Sequence, residues 1–196
     1  EEKLYLVCQN NHSYPVINGI PVILQEQEEA TLWVANKSLE LANASVSGLA
    51  RVDFRDTLGL SKSEIEEIKI KTTSIYGKNN LAIIISFLLG ATSGNMYKNA
   101  NCSLDEIPLP VFPLKGEGLL LDIGCNWGRW IISSRRNGFN PIGLDPSLGS
   151  LIIAKQLAEY MDIDASFICS DARYLPFKSE TIDMVFSYSV LQHFSK

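Results

Sequence analysis

The sequence predicts an α/β protein whose second half is a doubly wound parallel sheet, incomplete at about four strands, preceded by a β-hairpin and a helical region. Three observations carry this expectation. Leu119-Leu120-Leu121-Asp122-Ile123 is a short apolar run entering a turn that contains Gly124 and Gly128, as a buried parallel strand does when it feeds a tight turn. From there to Lys196, short strand-like runs alternate with helical segments, the pattern of βαβ units. Upstream, Asn18-Gly19 separates two β-prone runs, a hairpin signal because both residues tolerate positive φ. The expected organisation is a hairpin over 1–25, a helical accessory region with its linker over 26–118, and the sheet over 119–196.

At 196 residues and 46% hydrophobic, the chain can bury a sizeable core. A net charge of −5 gives no electrostatic footprint for nucleic acid, and Arg129, Arg135 and Arg136 are too few to make a local basic patch. Cys8, Cys102, Cys125 and Cys169 have no paired spacing, which points to reduced thiols and a cytoplasmic setting. The longest apolar run, 81–89, is far shorter than the roughly 20 residues of a membrane helix and reads as a core helix. The start at Glu1 rather than Met leaves room for a segment upstream.

Along the chain, Leu4-Tyr5-Leu6-Val7 is a short β-prone run and Pro15-Val16-Ile17 leads into the Asn18-Gly19 turn. The return strand is 20–24, which Pro21 places at a sheet edge because proline has no N–H for a ladder. Glu26, Glu28 and Glu29 precede the apolar Leu32, Trp33, Leu39 and Leu41, the acid-first order of a helix N-terminus. A less ordered stretch follows through Asp53 and Arg55. Ser61-x-x-Glu64 is a capping box opening a helix with Ile65, Ile68 and Ile70 as its apolar positions. A further helix is expected over 79–89, ending near Gly90 or Gly94, and the proline-rich 99–118 reads as a linker.

The sheet then unfolds in order: strand one at 119–123, a helix over 128–136 stopped by Asn137-Gly138, strand two at 141–144, and a helix opened by Asp145-Pro146-Ser147. Strand three is 165–169, strand four 182–187, and a new helix begins around Ser189. Strands of an open parallel sheet present their C-terminal ends to a ligand crevice. Here Asp122 and Gly124 stand at the end of the first strand, Asp145 after the second and Asp171 after the third. Asp145 follows Asp122 at close to the roughly 20-residue spacing by which an acid meets ribose hydroxyls in dinucleotide folds.

Four strings in this half, 121–128, 143–147, 171–177 and 182–193, resemble in order and spacing the motifs of class I S-adenosylmethionine-dependent methyltransferases of the type 11 kind, which have a Rossmann-like sheet. The resemblance implies S-adenosyl-L-methionine as cofactor and a small-molecule acceptor. It implies that the turn Gly124-Cys125-Asn126-Trp127-Gly128 passes under the methionine part, that Asp145 with Pro146 holds the ribose, and that Asp171 with the Ala172 backbone holds the adenine. Asn126 stands where the family usually has a third glycine, and asparagine tolerates left-handed backbone. Asp122 is expected to bond the turn amides as much as the ligand, and Trp127 and Trp130 to pack. Ser187, Tyr188, Ser189, Gln192 and His193 follow strand four, beside the reactive end, and Tyr188 and His193 are the candidate catalytic residues. The hairpin, through Tyr14-Pro15-Val16 and Asn18-Gly19-Ile20-Pro21-Val22, resembles half of the zinc-ribbon-like domain of tRNA methyltransferase activators. Cys8 and His12 supply at most two of four zinc ligands, so a metal-free hairpin is expected.

Two other functions use the same residues. A nicotinamide-dependent oxidoreductase would want Gly-x-Gly-x-x-Gly, and the turn has only Gly124 and Gly128. A non-catalytic cofactor-binding or protein-interaction module would retain the sheet without turnover. The family's sheet has seven strands, so the chain is expected to be a fragment. Otherwise a homodimer partner, another chain or the N-terminal region should cover the strand-four edge, which carries Val185, Phe186 and Tyr188.

Overall fold

The computed structural model describes residues 4–25, 33–48, 52–92 and 103–193. Among them are seven strands, β1 (Tyr5–Val7), β2 (Ser13–Ile17), β3 (Ile20–Ile23), β4 (Leu119–Ile123), β5 (Asn140–Asp145), β6 (Ser166–Ser170) and β7 (Met184–Ser187). They form one sheet in the order β1-β2-β3-β6-β5-β4-β7. The described helices are α1 (Trp33–Ser47), α2 (Lys62–Lys71), α3 (Lys78–Thr92), α4 (Arg129–Arg135) and α5 (Leu148–Tyr160).

The four expected parallel strands are β4 to β7. From β4 the chain steps outward to β5 and then β6, and afterwards returns to the other side of β4 as β7. The strand order therefore reverses at β4, and a doubly wound sheet opens a crevice at such a reversal. Leu120 and Leu121 in β4 and Leu144 in β5 are buried, as strands covered on both faces require. Helix α5 packs on β3, β5 and β6, and α4 on β4 and β5.

The hairpin extends this sheet. At its turn Asn18 and Gly19 have φ of 51° and 72°, the two positive values of a tight hairpin. Strand β3 then pairs in parallel with β6, Val22 opposite Cys169 and Ile23 opposite Ser170. The edge position expected for the Pro21 strand is thus corrected: β3 is an interior strand between β2 and β6. Pro21 is tolerated because it pairs only with Val16 of β2, one residue before the parallel ladder begins. Lys155 of α5 donates to the Asn18 carbonyl at 2.6 Å and pins the turn to the helix layer. Ile17, Ile20 and Val22 consequently share one core with Ile84 and Leu88 of α3 and Leu151 of α5.

The helical region follows its local signals with two differences. Ser61 accepts from the Glu64 amide and Glu64 from the Ser61 amide, so the expected capping box opens α2. Helix α3 runs through Gly90 to Thr92, while Gly94 lies outside the described residues. The acids Glu26, Glu28 and Glu29, and with them the expected acid-first approach to α1, also lie outside the described residues. The stretch expected to be less ordered contains a 3₁₀ turn, Phe54–Thr57, capped by Asp53. That turn is locked onto the start of α5: the Gly149 amide donates to Thr57 Oγ1 at 2.8 Å and Ser147 Oγ donates to the Thr57 carbonyl. A Cβ on Gly149 would lie 2.4 Å from the Phe54 carbonyl oxygen, so only glycine permits this approach.

Strand β7 is an edge of the sheet, with Val185 59% and Tyr188 51% exposed. The N-terminal strands occupy the opposite edge and do not cover it. After β7, where a helix is expected, the described residues hold a 3₁₀ turn, Leu191–His193. Beneath the sheet, the linker contributes Phe112 to a second cluster with Leu120 and Phe139, against which Trp130, Met184 and Phe186 pack.

Candidate functional site

A cavity of about 340 Å³ lies across the C-terminal ends of β6, β5, β4 and β7. The turn after β4 forms its floor. The amides of Gly124 and Cys125 donate to the Leu144 carbonyl at 2.7 and 3.1 Å, folding the turn onto β5. Gly124 (φ 75°) and Asn126 (φ 48°) are both left-handed, so asparagine does fill the position where a third glycine was expected. Its side chain stabilises the turn itself, Asn126 Oδ1 accepting from the Trp127 amide at 2.9 Å. A Cβ on Gly124 would lie 2.3 Å from a Val190 methyl, so the loop after β7 closes directly over the turn.

Asp145, at the end of β5, accepts from the Asn126 amide through Oδ2 and from the Ser147 amide through Oδ1, each at 2.9 Å. It thereby joins the turn to the start of α5. Burial raises its pKa to about 6, although both amides favour the ionised form. Each carboxylate oxygen takes one amide and retains acceptor capacity for a ligand hydroxyl. Asp122 is different. It is 1% exposed, its Oδ2 has no hydrogen-bond partner, and it does not line the cavity. The expectation that Asp122 bonds the turn amides is corrected for Asn126, whose amide reaches Asp145 instead. Burial and then the charge of Asp145 raise the Asp122 pKa to about 7, offset in part by Arg129.

Asp171, at the end of β6, lines the cavity with Ala172. Its carboxylate is gripped by Arg173, with Nε at 3.0 and 3.1 Å and Nη2 at 2.6 Å. Burial acts to raise its pKa, but the Arg173 bonds and charge hold it below the usual value. Burial also pushes the thiols of Cys125 and Cys169 well up, with the charge of Asp145 adding to it, so both stay protonated.

At the β7 end stand Tyr188, Ser189, Val190, Gln192 and His193, all lining the cavity. Tyr188 and Trp130 are 5.3 Å apart between ring centroids, and the Arg129 guanidinium lies 5.1 Å from the Tyr188 centroid and 5.9 Å from that of Trp130. The opposite wall comes from the helical region: Val34 and Ala35 of α1, Gly59, and Ala91 and Thr92 of α3. Thr92 fastens this wall to the turn, accepting from Trp127 Nε1 through Oγ1 at 2.8 Å and from Arg129 Nη2 through its carbonyl at 3.0 Å.

Of the residues expected from sequence, Gly124, Cys125, Asn126, Asp145, Pro146, Asp171 and Ala172 share this cavity with Tyr188 and His193. Gly128 and Ser187 do not line it. Gly128 is the left-handed N-cap of α4, and a Cβ there would lie 3.1 Å from the Ala154 Cβ, so it serves the packing of the turn on α5. Trp127 is fully buried, as its packing role requires. Trp130 packs on Phe112 and Phe186 and also lines the cavity. Sequence reasoning missed the α1 and α3 wall and the part played by Arg129 and Arg173. Thr92, Val34 and Gly59 belong to no motif, but Arg129 follows directly on the turn and Arg173 stands two residues from Asp171.

Residues 120–196 match the family model described as a methyltransferase domain. The match covers β4 to β7 and leaves out the hairpin and the helical region. More particularly, the chain is 31% identical over 81 residues to a ubiquinone biosynthesis O-methyltransferase of Azorhizobium caulinodans, covering 41% of this chain and 32% of that protein. It is 33% identical over 86 residues to a malonyl-[acyl-carrier protein] O-methyltransferase of a Marinomonas species, covering 43% and 32%. The chain thus spans about a third of the length of the curated relatives it matches. Among solved structures, magnesium protoporphyrin IX methyltransferase of Synechocystis with SAM bound is 16% identical, with 87% of this chain and 67% of that chain covered and a TM-score of 0.37. Among the described residues no helix is long and apolar enough to cross a membrane.

Proposed function

We propose that this protein binds S-adenosyl-L-methionine and transfers its methyl group to a small-molecule acceptor. The observation that carries the reading is the crevice at the strand reversal, with a glycine turn as floor and the carboxylate of Asp145 opening into it. The donor set fits the group. Asp145 retains acceptor capacity for two ribose hydroxyls, and Ala172 lines the same crevice for the adenine. The sulfonium supplies an activated methyl group for in-line displacement. The chain's own part is to hold the donor along the ends of β6, β5 and β4, to exclude water with α1, α3 and the 188–193 loop, and to bring the acceptor in from the β7 end. His193 stands there to take up the acceptor's proton, with the Tyr188 hydroxyl beside the same end of the cavity to orient the acceptor.

Calorimetry with S-adenosylmethionine, S-adenosylhomocysteine and NAD tests this. The first two should bind, and NAD binding with no response to either would refute the reading. Asp145→Ala should weaken S-adenosylhomocysteine binding by about tenfold or more, as expected for losing charge-assisted bonds of roughly 1.5–3 kcal/mol each. A melting curve alongside checks that losing the acceptor of the Asn126 and Ser147 amides has not unfolded the variant. The same reading places the protein in the cytoplasm, with Cys125 and Cys169 as buried free thiols. It also assigns the exposed β7 edge to a homodimer partner or another chain.

A further inference from the structure

Asp145 is oriented by the start of a helix, and that start is capped from outside the sheet. The first four amides of a helix have no partner within it. In α5 all four find side chains. The amide of the N-cap Ser147 donates to Asp145 Oδ1 at 2.9 Å, and that of Ser150 to Ser147 Oγ at 3.2 Å. The Gly149 amide donates to Thr57 Oγ1 at 2.8 Å and the Leu148 amide to Ser38 Oγ at 3.1 Å. These last two acceptors belong to the helical region, Ser38 on α1 and Thr57 in the 3₁₀ turn.

Hydroxyl donors close the junction from the other side. Ser147 Oγ donates to the Thr57 carbonyl, Ser150 Oγ to the Leu58 carbonyl at 3.3 Å and Thr57 Oγ1 to the Phe54 carbonyl at 2.8 Å. Ser38, Thr57 and Ser150 are fully buried, so an amide that loses its acceptor here has no water to replace it. The start of α5 would then have to shift, carrying the Ser147 amide with it. Asp145 is held at one oxygen by that amide and at the other by the Asn126 amide of the glycine turn. Its carboxylate is therefore aimed by two anchors on different elements, and a shift of either turns it.

We propose that Thr57 and Ser38 are positioning residues of the cofactor site: by capping α5 from the helical region they fix the Ser147 amide, and through it the direction in which Asp145 presents its carboxylate to the ribose hydroxyls. This rests on the S-adenosylmethionine reading, and the test separates the two.

Calorimetry is run with S-adenosylhomocysteine and with its dideoxy analogue, which lacks both ribose hydroxyls. The wild type should favour the parent compound. Thr57→Val keeps the shape of the side chain and removes the acceptor of the Gly149 amide. It should lose about tenfold in affinity for S-adenosylhomocysteine, the worth of one charge-assisted hydrogen bond, with affinity for the dideoxy analogue unchanged. Thr57→Ser, which retains the hydroxyl, should restore the preference. Ser38→Ala removes the acceptor of the Leu148 amide alone and should lower the same preference, so the question is answered even if Thr57→Val does not fold. Ser61→Ala, which weakens α2 far from this junction, controls for stability and should leave the preference intact. Failure of S-adenosylhomocysteine to bind the wild type would overturn the parent reading. Binding of that compound with an unchanged preference in folded Thr57→Val and Ser38→Ala would overturn the positioning role alone. Equal losses for both compounds would also overturn it, because they would show a general distortion of the cavity and not a misdirected Asp145.

Discussion

Asp122 is a buried carboxyl with an unpartnered oxygen, and replacing it by asparagine should make the protein more stable above neutral pH. The carboxyl sits at the end of β4, 1% exposed, with Oδ2 lacking any hydrogen-bond partner. Burial is the largest influence on it and the ionised Asp145 the next, and together they raise its pKa to about 7 despite Arg129. In the unfolded chain the value is near 3.9. The native state therefore binds the proton more tightly than the unfolded state. The stability this contributes is complete below about pH 4 and is lost as pH rises through about 7. Three pKa units at about 1.4 kcal/mol each give a loss of order 4 kcal/mol by pH 8. Asp122→Asn substitutes a neutral amide for the neutral acid and removes that dependence. The two proteins should be close in stability near pH 4, diverge as pH rises from about 4 to about 7 and keep a steady gap above that, with the variant higher. Urea unfolding at fixed ionic strength, one curve per pH from about 4 to about 9, reads this as a shift in midpoint at constant slope. A variant equal to or weaker than the wild type at pH 8 would refute the reasoning, because it would mean that the ionised Asp122 is paired and stabilising.

The remaining expectations concern the helical wall. Thr92→Val removes the acceptor of Trp127 Nε1, a donor on a fully buried ring, and should cost about 1–3 kcal/mol. The loss should appear in urea unfolding and be largely absent in a Thr92→Ser variant, which retains the hydroxyl. Ser61→Ala deletes the capping box of α2 and should cost about 1 kcal/mol. Because α2 does not reach the cavity, S-adenosylhomocysteine affinity measured by calorimetry should be unaltered.

The parallel half of the fold was legible because its signals are local. Residues 119–123 form the strand that their apolar run predicts, and Asn137-Gly138 marks the end of α4, with Gly138 at a φ of 102°. The hairpin was legible as a hairpin for the same reason, since Asn18-Gly19 prescribes its own turn. Its destination was not. Pairing β3 with β6 joins Val22 to Cys169 across most of the chain, and no residue type announces a parallel partner at that distance. Pro21 even argued for an edge, because the rule concerns a missing N–H, and here that position precedes the ladder with β6. The 3₁₀ turn at Phe54–Thr57 was missed on similar grounds. What orders it is contact with Gly149 and Ser147, more than ninety residues away along the chain in the case of Gly149.

The site divides along the same line, and the division bears on function. Its floor is written in consecutive residues, because a turn that lies against a ligand needs left-handed backbone at Gly124 and Asn126 and an acid at the next strand end. Such residues are recognisable by type and spacing. Its walls are written in residues whose types say nothing alone: Thr92, Gly59 and Val34 act only through where α1, α3 and the 3₁₀ turn come to rest. Floor and wall nonetheless meet in one side-chain network. Asp145 holds the Asn126 amide, Trp127 and Arg129 hold Thr92, and Arg129 reaches the Tyr188 ring. A displacement of α3 would shift Thr92 and with it the guanidinium over the β7 end, while Asp145 and the turn stay fixed by bonds to β5 and α5. On the proposed reading the donor's seat belongs to the sheet and its turn, whereas one wall of the crevice, Val34, Ala35, Ala91 and Thr92, is set by how α1 and α3 dock.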